Sequence, residues 1–367
     1  MNLVNFKSGY IVSNIITYIG NKRKLLTSID DIINDILVDN PDFSTCLDAF
    51  SGSGIVSRYL RYKGFRVYAN DLEDYTVPLN KAFLTQTEDP LEQSDYELLN
   101  SLTSTTAPYF SKYYAPQDTQ NPDLDNERLF FSHENAVFID AVLETIQNWP
   151  ETKKNAALAS LIYKMSKHNN TSGVMKGFHR GFGGSKGDCL GRILGKITID
   201  PISYIDGLPG TVYNVKAEDL FSTTDCPEVD IAYLDPPYNG HQYSSNYHLL
   251  NSAVKYDFYD PGDMHLPKNK VGIRRDHNKS DFCHRARATD AFEKLFSSIK
   301  AKYVILSYNN EGILSVPELE TIIKKYFNNV YIVSKDYKKY GGGYGGYKNT
   351  KNTDVKELFF VASNIKA

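Results

Sequence analysis

The stretch Cys46-Leu47-Asp48-Ala49-Phe50-Ser51-Gly52-Ser53-Gly54 constrains the fold more than any other part of the chain. A short apolar run ends in a Gly-x-Gly turn. Ile55–Tyr62 then carries helical spacing, and Phe65–Ala69 is a second short apolar run ending in Asn70-Asp71. Strand, glycine turn, helix and strand in that order open a parallel α/β sheet. Glycines directly after a buried strand let the backbone turn tightly and approach a nucleoside ligand. The third glycine of the dinucleotide fingerprint is missing, which argues against hydride chemistry on a nicotinamide. A carboxylate such as Asp71, at the end of the second strand, suits the two hydroxyls of a ribose, and equally suits a helix N-cap.

The rest of the chain extends this pattern. Leu25, Leu26, Ile29, Ile32, Ile33 and Ile36 recur at three-to-four spacing and predict a helix over 20–38. β-signals return at Thr211–Val215, Val229–Leu234, Tyr303–Leu306, Val330–Val333 and Leu358–Val361, with helical stretches at 288–300 and 316–327. Between the two sets, residues 85–204 are polar, then helical around 134–148 and 155–167, then glycine-rich from Gly173 to Gly195. The expected architecture is a doubly wound, mostly parallel sheet with a terminal antiparallel hairpin, formed by residues 1–84 and 205–367. A mainly helical insertion over 85–204 interrupts it. Gly341–Tyr347 reads as a loop of the terminal hairpin.

Composition removes several classes. With 367 residues, 23% charged and 41% hydrophobic, the chain has ample core for about two domains and is not disordered. No apolar run approaches the roughly 18 residues of a membrane span, and MNLVNFKSGY has no secretory pattern, so a cytoplasmic protein is expected. Cys46, Cys189, Cys226 and Cys283 lie far apart and predict neither a disulfide framework nor a zinc site. His265, His277, Cys283 and His284 match no ligand spacing, so no metal is expected. The net charge of −3 conceals segregation: residues 86–128 net −7, whereas 171–200, 264–287 and 331–351 net +3, +5 and +4. Such stretches suit a basic face toward a polyanion, and equally suit solvated loops.

The second chemical feature is Leu234-Asp235-Pro236-Pro237-Tyr238, directly after the apolar run Val229–Leu234. Two prolines fix the backbone there. The Asp235 carboxylate and the Pro236 carbonyl become convergent acceptors, and Tyr238 offers an aromatic face. Two acceptors and a stacking ring fit a planar group bearing an NH₂, such as an extruded nucleobase. Ligands bind at this edge of such sheets.

With these residues in view, the sequence resembles the Dam-like, alpha-group family of adenine-specific DNA methyltransferases, and within it members of restriction–modification systems. Thr17-Tyr18-Ile19-Gly20-Asn21-Lys22-Arg23-Lys24 is similar to the family's N-terminal motif, with Tyr18 where a tryptophan is common. Phe50-Ser51-Gly52-Ser53-Gly54 is similar to its cofactor motif, and Asp235-Pro236-Pro237-Tyr238 to its catalytic motif. The resemblance implies a class I, Rossmann-like catalytic domain using S-adenosyl-L-methionine, with the insertion as a target-recognition domain. It implies Tyr18, Lys22, Phe50, Gly52, Gly54, Asp71, Asp219 and Asp235 at the cofactor, and Asp235, Pro236, Pro237 and Tyr238 at the reacting base. It further implies double-stranded DNA as partner, N6 of a flipped-out adenine as acceptor, and pairing with a restriction endonuclease. N4-cytosine methylation, RNA methylation and a catalytically silent DNA binder on the same scaffold remain alternatives. For DNA contact, the candidates are His179, Arg180 and Lys186 in the glycine-rich stretch, and Arg274, Arg275 and Lys279 beyond the catalytic motif.

Overall fold

The computed structural model describes residues 6–184, 187, 189–264, 269–336 and 356–365, the side chain of Asp336 excepted. Seven strands are present among them: β1 Thr45–Asp48, β2 Arg66–Asn70, β3 Thr211–Tyr213, β4 Val229–Leu234, β5 Ala301–Asn309, β6 Asn329–Asp336 and β7 Lys356–Ser363. They form one sheet in the order β3-β2-β1-β4-β5-β7-β6. β1 pairs in parallel with β2 and β4, and β4 in parallel with β5. β7 runs antiparallel to both β5 and β6, which makes the expected terminal hairpin. The loop expected at Gly341–Tyr347 lies outside the described residues.

Alternation along the strands explains the layering. Cys46, Val67, Ile231, Ile305 and Phe359 join one buried cluster. Their neighbours Leu47, Tyr68, Ala232, Leu306 and Phe360 join the other. A strand sends successive side chains to opposite faces, so the sheet needs helices on both sides. On the first face these are α1 Leu26–Asp39, α2 Ile55–Tyr62, α3 Thr76–Thr85, α5 His133–Thr145, α6 Glu151–Lys167 and α7 His248–Lys255, with α4 Gln93–Ser101 contributing Tyr96 and Leu99. On the second they are α8 Arg285–Ser298 and α9 Val316–Tyr326.

The elements follow the sequence reading closely, with instructive shifts. β1 stops at Asp48 rather than Phe50, because the chain turns into the glycine loop there. β2 runs on to Asn70, which pairs with Tyr213. Asn70 also ties three strand ends together: its amide donates to the Ala49 and Val215 carbonyls, and its Oδ1 accepts from Val215 N, each at 3.1 Å. Helices α3, α4 and α7 are absent from the sequence reading. The described regular elements between residues 86 and 204 are all helical. They share a core with the sheet: Ile139, Leu161 and Ile162 lie in one buried cluster with Ile29, Leu60 and Tyr247. No helix among the described residues is long and apolar enough to cross a membrane.

Candidate functional site

Chain order runs β1, β2, β3 outward on one side of β1, then β4 and β5 outward on the other. The crevice at such a reversal is where open α/β sheets hold ligands. Here the C-terminal ends of β1, β2 and β4 deliver Asp48, Asp71 and Asp235.

The glycine loop leaves β1 under tight restraint. Ser51 N donates to the Asn70 carbonyl at 2.9 Å, and Gly54 N to the Ser51 carbonyl at 2.7 Å. Gly52 has φ +50° and Gly54 φ +77°, both in the left-handed region that glycine enters without strain. At Gly52 space is also decisive, since a Cβ would lie 2.9 Å from the Tyr18 ring. Tyr18 in turn stacks on Tyr243 and on Tyr247, with ring centroids 5.1 Å apart in each pair. The Tyr247 hydroxyl accepts from Ile19 N at 2.7 Å, and the Tyr243 hydroxyl donates to the Ile19 carbonyl at 3.2 Å. The N-terminal motif is thus clamped against the segment that follows Tyr238.

A cleft of about 620 Å³ opens beside this stack. Its walls include Tyr18, Phe50, Asp71, Glu73, Glu218, Asp235 and Phe282. Phe50 and Phe282 meet edge to face at 5.2 Å and supply the apolar side. Asp71 accepts from Gly52 N at 2.7 Å and from Glu73 N at 2.9 Å. Burial pushes its carboxyl up to about 6, although these amides pull it back. Glu73 takes the Asn251 amide at 2.7 Å, and burial drives it up to about 8. A smaller lobe, bounded by Lys22, Asp48, Gly52 and Asp235, continues under the glycine loop. Asp48 accepts from the Ser57 hydroxyl at 2.6 Å, while its other oxygen is buried without a partner. Burial raises this group to about 7.

At the junction of the lobes, Lys22 Nζ stands 2.9 Å from Asp235 Oδ1 and 3.1 Å from Glu357 Oε1. Lys22 is 4% exposed. Burial opposes its charge, but Asp235 and then Glu357 outweigh that, and the ammonium is held well above the ordinary lysine value. Burial pushes Asp235 up to about 6, against the pull of Lys22. The Tyr238 ring lies 5.6 Å from Lys22 Nζ and edge to face with Tyr308.

The structure therefore brings Tyr18, Lys22, Phe50, Gly52, Asp71, Asp235, Pro237 and Tyr238 together, with Pro236 between them in the chain and Gly54 capping α2 behind the loop. It does not bring Asp219 into the cleft. Asp219 is paired with Lys294 of α8, while its neighbour Glu218 lines the wall. The two sit in one tight helical turn, Ala217–Asp219, where successive side chains point in different directions. Glu73, Glu218, Tyr243, Phe282 and Glu357 were missed by sequence reasoning. Of these, Glu73 carried a signal, three residues beyond the end of β2, and Glu218 another, directly before the chosen Asp219.

The basic candidates divide. Arg274 is 4% exposed, takes both oxygens of Asp257 at 2.5 and 2.8 Å, and bonds Asp276 at 2.8 Å. It also covers the Tyr259 ring at 4.5 Å. Four of its N–H bonds thus go to these two acids of the same chain. Arg275 and Lys279, from the same stretch, are exposed. His179 is half-buried, its backbone bonded in both directions to Asn170. Arg180 is exposed and reaches Asp125 of the acidic stretch at 3.6 Å. Lys186 lies outside the described residues.

Comparison with known proteins agrees with this geometry. Residues 18–322 match the family model of the D12 class N6 adenine-specific DNA methyltransferases. The type II methyltransferase M.NlaIII of Neisseria lactamica is 29% identical over 94% of this chain and 98% of its own length. M.CviAII of Paramecium bursaria Chlorella virus 1 is 28% identical over 95% of this chain and 98% of its own. M.FokI of Planomicrobium okeanokoites is 28% identical over 95% of this chain, which spans 53% of that longer protein. The resemblance drawn from three short motifs thus extends across nearly the whole sequence, and the chain belongs to the D12 class N6 adenine-specific DNA methyltransferases.

Proposed function

We propose that this protein methylates N6 of an adenine extruded from a specific DNA site, with S-adenosyl-L-methionine as donor. The observation that carries the reading is Asp235, held by Lys22 at the meeting point of an aromatic cleft and the Tyr238 ring. The residues present fit that donor. Gly52 leaves no room for a side chain against Tyr18, and Phe50 and Phe282 suit the faces of a purine. Asp71 and Glu73 offer acceptors for ribose hydroxyls, and Glu218, in place of Asp219, offers one for the adenine amine. Carboxylates exceed lysines around the two lobes, which suits a cation.

When bound, the donor supplies an electrophilic methyl carbon on a positively charged sulfur. The target amine is a poor nucleophile because its lone pair is delocalised into the ring. Asp235 and the Pro236 carbonyl accept its two hydrogens and favour a pyramidal nitrogen, aiming the lone pair for in-line attack. Pro236 and Pro237 keep these acceptors in place, and Tyr238 stacks on the base, worth about 1–3 kcal/mol. The nitrogen then sheds one proton, for which Asp235 is the near acceptor.

Residues 85–204 serve, in this reading, as the target-recognition insertion of a catalytic domain formed by 1–84 and 205–367. His179, Arg180, Lys186, Arg275 and Lys279 provide the DNA-facing charge. The relatives named type II methyltransferases suggest pairing with a cognate endonuclease. The test is single-molecule methylation sequencing of DNA from cells expressing the chain, beside Asp235→Ala. N6-methyladenine at one motif, absent in the variant, supports the reading. N4-methylcytosine would move it to cytosine, and no modified base would overturn it.

A further inference from the structure

Lys22 faces two carboxylates, and one ammonium neutralises only one of them. Asp235 belongs to the cleft wall, but Glu357 lines neither lobe. It comes from β7, is 5% exposed, and accepts from the Ser307 hydroxyl of β5 at 2.7 Å. A buried lysine needs one partner. A second buried carboxylate adds a desolvation cost of several kcal/mol and is worth keeping only if its charge or its grip has a use. Both are at hand. The grip gives Lys22 a second anchor, on β7, while Nζ rests on Asp235 Oδ1. The charge leaves the Lys22, Asp235 and Glu357 cluster one unit negative, at a lobe shared with Asp48, whose buried Oδ1 accepts no hydrogen bond.

We propose that Glu357 is a positioning residue of methyl transfer: it fixes Lys22 on Asp235, and its excess negative charge makes the site prefer a positively charged methyl donor over the uncharged product left after transfer. This rests on the methyltransferase reading above. Transfer breaks the carbon–sulfur bond, forms the carbon–nitrogen bond and leaves sulfur a neutral thioether. A site one unit negative therefore loses affinity for its cofactor at the moment the reaction is done, which favours exchange for a fresh donor.

The test uses the full chain and two ligands, S-adenosylmethionine and S-adenosylhomocysteine, titrated calorimetrically. In Glu357→Gln the preference for the charged ligand over the neutral one should fall about tenfold, and Glu357→Asp should restore most of it. Ser307→Ala keeps the charge but loosens the grip, so kcat should fall while the ligand preference holds. Equal weakening of both ligands in Glu357→Gln, or an unchanged preference, would overturn the charge assignment. An unchanged kcat in Ser307→Ala would overturn the positioning role, and this variant decides that point even if Glu357→Gln does not fold. Wild-type protein that binds neither ligand would instead overturn the donor reading itself.

Discussion

Gly52 Cα faces the Tyr18 side chain so closely that a methyl group placed on it would sit 2.9 Å from two ring carbons and from the hydroxyl oxygen. The residue also holds φ +50°. Gly52→Ala meets both penalties together, backbone strain and overpacking, each about 1–3 kcal/mol. The ring cannot move aside easily, since it is stacked on Tyr243 and Tyr247. The expected result is a melting temperature lowered by several degrees and donor affinity reduced at least tenfold, read by calorimetry. A variant with wild-type affinity would remove the close approach from the binding site.

Lys22→Ala leaves half-buried Asp235 and buried Glu357 without their common cation. Breaking a buried pair in this way costs about 3–5 kcal/mol. Denaturant titration at neutral pH should show a loss of that size, together with weakened donor binding. Lowering the pH through about 6 should recover part of the stability, because protonating Asp235 removes one of the unpaired charges.

The cleft carboxyls give the free protein a pH signature. Asp48 is raised to about 7 and Glu73 to about 8 by burial. The folded state holds these protons more tightly than the unfolded chain does. Their contribution is therefore complete below the unfolded carboxyl values and is lost as pH rises through about 7 and 8. The melting temperature should fall from roughly pH 4 to pH 8 and level off above, and Glu73→Gln should flatten the upper part of that slope. Catalysis moves the other way. Asp235, raised to about 6 in the free protein, accepts the amine hydrogens only when ionised, so kcat/KM should decline as pH drops through about 6.

Arg274 and Arg275 are adjacent and should behave oppositely. Arg275→Ala and Lys279→Ala remove exposed charge and should each lower the salt slope of DNA binding by about one. Arg274→Ala leaves that slope unchanged but destabilises the fold, since Asp257 and Asp276 lose their partner. Fluorescence anisotropy over a salt series, beside thermal melts, separates the two cases.

How far the sequence could be read follows from how local each signal was. The glycine turn, the apolar runs of β1, β2 and β4, and the Asp235–Tyr238 segment are contiguous, and periodicity with turn chemistry was enough to find them. The pairing of Arg274 was not legible, because one partner, Asp257, lies 17 residues earlier, beyond any spacing rule. Asp219 and Glu218 differ by one position in a tight turn, too fine for a strand-and-loop reading. Glu357 had no signal. It is a single acid at the start of an apolar strand, and only the strand order brings it to Lys22.

That strand order has a consequence for biosynthesis. β7 is the last strand among the described residues, yet it is inserted between β5 and β6 rather than added at an edge. A ribosome-bound chain that has emerged as far as β6 holds Asp235 and Lys22 but not Glu357, and its sheet has a gap where two strands will later be bridged. Closing the gap requires contacts far apart in sequence, the slow class in folding. A cell making this protein thus gains an active modifier of DNA only after translation has passed residue 357 and the sheet has closed, a delay inherent in the topology.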